Sequence, residues 1–343
     1  MYLSKKNDVK IITSSESQKR VETEIEGIPL LLLPYPPTSI RIRLAALRHP
    51  WVRESDVVIE SADVGGPWFA FSARQRVLLG HQLWQDIFAE ELRPPFGAIL
   101  KWLEPAFYLP YRGTSTWVNS GSTEESFRAL GITRIRRLPV GLQLGLNLSS
   151  SSQIFPAAPI PGKDLLQRPR VSVVSRLRKY KGIQLVLEAF PEMQDSYPDL
   201  ELLIVGRGPY RERLEAFAKS LGISDSVRFL GYLSEPQRDE ILRGSITTIA
   251  PSIREGLGLN VLEAFRCGTT CVGWDVPGTR DVISNGITGV LVKFGDLGAL
   301  ATAIKDLLSD PEKRDSLARS AFDQVSSIPI PESIDQVDEF IHG

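Results

Sequence analysis

Two glutamates, Glu255 and Glu263, bracket a run of Gly-Leu-Gly-Leu-Asn-Val-Leu, whose glycines Gly256 and Gly258 let a ligand approach the backbone closely. The run follows an apolar stretch that ends at Ala250 and opens a helix near Gly258. A helix start offers free N–H groups and the positive end of a dipole, and both attract phosphate. Glu255 falls before that helix, at the carboxyl end of a strand, where open α/β sheets place their ligands. Glu263 lies five residues past Gly258, roughly 7.5 Å along the axis at 1.5 Å per residue. That offset suits one carboxylate on a sugar and the other on a ribose, with a diphosphate between them. The same residues also read as an ordinary helix start, with acid favouring the dipole and Glu263 at an exposed position.

A second cluster, Ser175-Arg176-Leu-Arg-Lys-Tyr-Lys181-Gly182, stands between a strand and the next helix. Cations there oppose the helix dipole, so they do little for the helix. They are well placed to offset the charge of a departing diphosphate. The turn Gly206-x-Gly208 resembles the start of a dinucleotide fingerprint, but Arg211 stands where the third glycine belongs. His81 follows an apolar run and so sits at a carboxyl strand end, where it reads either as a cleft residue or as a surface loop histidine. Cys267 and Cys271 read as small core residues.

Alternating elements must position these residues. From Arg170 onward, short runs rich in Val, Ile and Leu (Val171–Ser175, Leu200–Val205, Val227–Leu230, Ile246–Ala250, Thr270–Trp274, Gly289–Lys293) alternate with amphipathic helical stretches, the pattern of βαβ units in a parallel, doubly wound sheet. Ser234 with Gln237, and Asp310 before Pro311, mark two helix starts. In the first half, Val9–Thr13, Leu30–Leu33, Asp56–Glu60, Arg76–Leu79, Trp117–Asn119 and Arg136–Leu138 read as strands. A Ser- and Pro-rich stretch from Leu148 to Pro169 separates the halves.

The chain has 343 residues, enough for two domains, and a formal net charge of −1, which argues against nucleic acid as a partner. Its two cysteines fit a reducing compartment, and three scattered histidines give no zinc-type spacing. No Asp-x-Asp pair lies beside the basic cluster, so no metal ligand is assigned. The apolar stretch Ile28 to Leu33 falls far short of the roughly 20 residues of a spanning helix.

Ser-Arg176-Leu…Lys181-Gly, Val205-Gly-Arg-Gly208-Pro, Phe229-Leu-Gly-Tyr232, Pro251-Ser252, Glu255-x7-Glu263-Ala-Phe-Arg-Cys-Gly268, Asp275-Val-Pro-Gly278, Asn285-Gly286 and Gly289-Val-Leu-Val292 follow in order. Together they resemble the donor domain of family 4 GT-B glycosyltransferases, the retaining, metal-independent group, from Arg170 to about Ser327. The resemblance implies an α/β fold of the GT-B type, with two Rossmann-like domains facing a cleft. Its divisions would be an acceptor-side domain at 1–155, a linker at 156–169, a nucleotide-sugar domain at 170–327 and a tail at 328–343 returning to the first domain.

It also implies roles. Arg176 and Lys181 would bind the diphosphate, Glu255 the donor-sugar hydroxyls and Glu263 the ribose. Gly258, Leu259 and Asn260 would offer backbone amides nearby, while Gly206, Gly208 and Tyr232 would lie near the nucleotide. His81 would stand near the donor sugar and the acceptor. The substrate would be a UDP- or GDP-linked sugar, with no further cofactor, and the acceptor a glycan or a polyprenyl-linked lipid. The family's usual glycine before the arginine is Ser175 here. Lys181, Glu255 and Glu263 are expected to be exposed polar sites, so that replacing them with alanine would barely change stability.

The first half departs from the family. Met1–Lys6 reads as the tail of a first helix and Val9–Thr13 as the second strand, so the opening strand and its glycine loop are expected to be missing. Pro94 to Arg112 carries Phe96, Ile99, Leu100, Trp102, Leu103, Phe107 and Tyr108 among Arg93, Lys101 and Arg112. It reads either as a helix packed on its own domain or as an interfacial segment. The latter would hold a cytoplasmic enzyme at the inner face of a membrane. Two rival readings are a nucleotide-sugar-binding protein without turnover and a nicotinamide-dependent oxidoreductase, the second weakened by Arg211.

Overall fold

The computed structural model describes residues 8–15, 21–25, 27–34, 48–62, 74–138, 140 and 168–328. Residues 1–7, the linker expected at 156–169 up to residue 167, and the returning tail beyond residue 328 lie outside the described residues.

The N-terminal half holds two separate sheets. The first has β1 (Ile11–Ser15), β2 (Val21–Ile25) and β3 (Ile28–Pro34) in the order β1-β3-β2. β1 runs parallel to β3, with Ile11 opposite Leu30, and β2 folds back antiparallel, with Ile25 opposite Ile28. The short helix α1 (Pro50–Glu54) leads to the second sheet, β4 (Val57–Ala62), β5 (Gln75–Gly80), β6 (Ser115–Val118) and β7 (Ile135–Arg137), all parallel in that order. Helices α2 (Gln85–Glu91) and α3 (Phe96–Phe107) connect β5 to β6, and α4 (Gly121–Ala129) connects β6 to β7. Among the described residues β1 pairs only with β3 and β4 only with β5, and no strand joins the two sheets.

The C-terminal half is one parallel sheet of β8 (Arg170–Val174), β9 (Glu201–Val205), β10 (Val227–Gly231), β11 (Thr247–Ala250), β12 (Cys271–Trp274) and β13 (Gly289–Val292). Its connecting helices are α5 (Ile183–Ser196), α6 (Arg211–Ser220), α7 (Glu235–Gly244) and α8 (Leu259–Arg266), with α9 (Leu297–Ser309) and α10 (Pro311–Ser326) closing the domain. The strand order β10-β9-β8-β11-β12-β13 is doubly wound, as expected. The chain travels outward from β8 to β10 and then restarts beside β8 at β11. Connections diverge between those two strands, and such a sheet opens its ligand crevice at their carboxyl ends.

Apolar runs became strands because both faces of this sheet are covered. Val173, Leu187, Phe190, Ile204, Ile249 and Val272 share one core cluster. The two marked helix starts are present: Gln237 and Ser234 form a capping box, and the Asp310 carboxylate accepts the Lys313 N–H at 2.9 Å beside Pro311. Cys267 and Cys271 are buried and unbridged, and burial pushes the Cys267 thiol up to about 11 and that of Cys271 further.

Candidate active site

The loop leaving β8 and the loop leaving β11 meet at the divergence point. Gly182 lies between them in the left-handed region at φ 68°, and a Cβ there would stand 1.9 Å from the Pro251 carbonyl oxygen. Only glycine lets the basic loop come this close to the loop carrying Glu255. The Ser175 N–H binds the Val205 carbonyl and the Leu177 N–H binds that of Arg207, both at 3.0 Å, which stitches the basic loop to the Gly206 turn. Asn260 donates to the Val174 carbonyl at 3.2 Å and ties the start of α8 to the end of β8.

These contacts enclose a cavity of about 430 Å³. Arg176, Lys181, Gly206, Tyr232, Glu255, Gly258, Leu259, Asn260 and Glu263 all line it. Gly208 does not; it packs on Leu177, and a Cβ there would stand only 2.2 Å from that residue's carbonyl oxygen. His81 also lies off the cavity wall. Its carbonyl oxygen accepts from Thr123 Oγ1 at 3.1 Å and abuts Gly256 at the seam between the halves.

The charges are arranged in pairs. Glu255 Oε1 accepts from Lys181 Nζ and, at 2.6 Å, from Ser252 Oγ. Lys181 is buried, which corrects the expectation of a solvent-exposed cation: Gly182 draws the loop so close to Pro251 that Lys181 is covered. Arg176 remains exposed and donates to the Tyr180 hydroxyl at 2.8 Å. Glu263 accepts from Arg238 Nη1 at 3.0 Å, and Arg238 in turn meets Asp239 at 3.1 Å. Burial raises the Glu263 pKa, and the positive charges of Arg238 and Arg266 oppose that rise. Arg207 stacks over Tyr232 at 4.3 Å from its ring centroid. Among the described residues no group of three His, Cys, Asp or Glu side chains is arranged to hold a metal.

Sequence reasoning missed three participants. Arg207 stands inside the Gly206-Arg-Gly208 turn, where the flanking glycines are the stronger sequence signal. Arg238 sits on α7, with nothing in its neighbours to mark it. Helix α2 carries Asp86, Glu90 and Glu91, which pair across the seam with Arg254 (3.1 Å), Lys179 (3.0 Å) and Arg178 (3.5 Å).

Two α/β halves and one charged cavity at the divergence point of the second sheet define a fold of the GT-B type. Residues 162–324 match the family described as Glycosyl transferases group 1. Over 153 residues it is 35% identical to the GDP-mannose-dependent alpha-(1-6)-phosphatidylinositol monomannoside mannosyltransferase of Mycolicibacterium smegmatis. That match covers 43% of this chain and 40% of the relative, so the aligned part spans less than half of that protein. Sucrose-phosphate synthase from Thermosynechococcus elongatus superimposes with a TM-score of 0.78 at 20% identity, over 99% of this chain and 90% of that one. HepE of Anabaena, solved in complex with UDP-glucose, superimposes at 0.68 with 18% identity, over 97% and 98%. At such identities the likeness is one of fold.

Proposed function

We propose that this chain is a retaining hexosyltransferase that takes its sugar from a nucleotide diphosphate and passes it to a hydroxyl of a glycan or a lipid-linked acceptor. The observation that carries this reading is the convergence of Arg176, Lys181, Glu255, Glu263 and the start of α8 on one cavity. Lys181, Arg176 and the α8 amides offset the diphosphate charge, Glu255 holds the sugar hydroxyls and Glu263 the ribose. The acceptor oxygen forms its bond to the anomeric carbon on the face from which the phosphate leaves. As the carbon–phosphate-oxygen bond breaks, the departing oxygen takes the acceptor's proton, so no protein base is required. Catalysis then rests on positioning and on electrostatic stabilisation of the leaving group. A GDP-mannose-dependent relative and a fold neighbour solved with UDP-glucose support a nucleotide-sugar donor, of either base. On the acceptor side, the exposed Phe96, Ile99 and Trp102 of α3 support contact with a membrane surface that presents a lipid-linked acceptor.

Calorimetric titration of the full chain with UDP and GDP, with and without chelator, tests the site. One of them is expected to bind equally well in both conditions. Binding of neither, or binding abolished by chelator, overturns the phosphate assignment. With the matching nucleotide sugars and a hydroxyl acceptor, NMR of the product's anomeric proton is expected to show the donor's configuration, and inversion would refute the mechanism.

A further inference from the structure

Tyr180 belongs to the basic loop of the C-terminal domain, yet it is fully buried, and the residues that bury it come from the other half of the chain. Its ring shares a cluster with Trp84, Ile87 and Phe88, with the Trp84 ring centroid 6.1 Å away. Its N–H points to Glu91 at 3.4 Å. From that socket the side chain reaches both cations of the cavity. The hydroxyl oxygen accepts from Arg176 Nη2 at 2.8 Å, and Lys181 Nζ stands 5.0 Å from the ring centroid.

We propose that Tyr180 is a positioning residue for the phosphate-binding cations, held by the N-terminal half so that Arg176 is pre-aimed into the cavity. The proposal rests on the reading of that cavity as a nucleotide-diphosphate site. An arginine carries much rotamer freedom, which a flexible side chain gives up when it grips a ligand. A hydroxyl fixed at one fork of the guanidinium removes much of that freedom beforehand and leaves the remaining N–H donors for phosphate oxygens. The Tyr180 ring face attracts the Lys181 ammonium and helps hold it in the same place. The acidic residues of α2, paired with Arg178 and Lys179, hold the loop just before the tyrosine.

The test uses Tyr180→Phe, which keeps the buried ring and deletes only the oxygen, and reads UDP and uridine (or GDP and guanosine) affinity by calorimetry. UDP affinity is expected to fall about tenfold, the lower end for losing a hydrogen bond to a charged group. Uridine affinity and the melting temperature should hold. In an Arg176→Ala background the tyrosine change should add nothing, since the two act as a unit. Equal losses for UDP and uridine, losses that track a lowered melting temperature, or full additivity with Arg176→Ala would each overturn the proposal. If Arg176→Ala itself spares UDP affinity, or neither nucleotide binds the native chain, the reading of the cavity fails and takes the proposal with it. If Arg176→Ala weakens UDP and Tyr180→Phe does not, only the role of Tyr180 is lost.

Discussion

The charge of Lys181 is matched by Glu255 within a half-closed pocket, where their side chains are only 9% and 16% exposed. Breaking one partner of a buried pair costs about 3–5 kcal/mol, because the other charge is stranded away from water. Lys181→Ala is therefore expected to lose about 3 kcal/mol of stability in denaturant melts, and adding Glu255→Gln should recover at least half. An unchanged midpoint in Lys181→Ala would mean that water reaches Glu255 freely. Exposed Arg176, by contrast, should tolerate alanine within about 0.5 kcal/mol. A second carboxyl matters away from the cavity. Glu104 is buried on α3, where its Oε1 accepts the Trp84 N–H at 2.7 Å and its Oε2 has no hydrogen-bond partner. Burial pushes its pKa up to about 7 against an ordinary 4.5, with the Trp84 amide and Arg254 pulling the other way. The folded protein then holds this proton more tightly than the unfolded chain does. The resulting stabilisation is complete below about pH 4.5 and is lost as pH rises through about 7, to the extent of roughly 3 kcal/mol. Glu104→Gln, which cannot ionise, should flatten the stability profile between pH 5 and 8. Parallel profiles for the native chain and the variant would exclude Glu104 as the titrating group.

At the scale of elements, the C-terminal strands were legible because strands covered on both faces read as unbroken apolar runs, as Leu202–Val205 does. β2 was not read: Val-Glu-Thr-Glu-Ile has few apolar residues, and residues 21–24 are exposed, so the hydrophobic signal is weak. The basic loop and the start of α8 were readable from glycines and charge, whereas the pairing of α2 with that loop depends on how the two halves meet and leaves no local mark. Helix α3 shows a further limit. Its apolar residues recur at Phe96, Ile99 and Trp102, a helical stripe that periodicity alone assigns to a core. In the fold the opposite side packs, through Gly97 and Glu104, and the stripe is left outside, with Trp102 80% and Phe96 67% exposed. A large aromatic stripe in water fits an interface with lipid, where amphipathic helices bury such residues. Trp102→Ser is expected to lower cosedimentation with vesicles of anionic phospholipid by several-fold and to leave UDP or GDP affinity unchanged. Equal cosedimentation of both proteins would leave the stripe without a membrane role.

The whole molecule closes along a seam in which Gly256 is the tightest point. A Cβ on Gly256 would lie 2.3 Å from the His81 carbonyl oxygen and 2.7 Å from Asn119 Nδ2, both on the other half of the chain. Thr123 Oγ1 bridges the same place, donating to the carbonyls of His81 at 3.1 Å and Gly256 at 3.3 Å, while the Asp281 carboxylate accepts the Ser122 N–H at 3.2 Å. His81, expected beside the donor sugar, thus meets the C-terminal half through its backbone, one residue from Glu255. Gly256 has no left-handed backbone, so alanine fits its own loop, and the obstacle is the opposing half. Gly256→Ala should hold the two halves apart by a fraction of an ångström to an ångström while each keeps its fold. Among the described residues the cavity is lined by residues 174–263 alone, so nucleotide affinity should fall no further than in Tyr180→Phe. In the proposed transfer the acceptor must reach the anomeric carbon on the face from which the phosphate leaves, and a misplacement near 1 Å costs on the order of 100-fold. The expected pattern is thus a loss of turnover at least tenfold greater than the loss of UDP or GDP affinity, with the melting temperature nearly unchanged. If turnover and affinity instead fall together, the seam serves the donor site alone, and the acceptor does not depend on this closure.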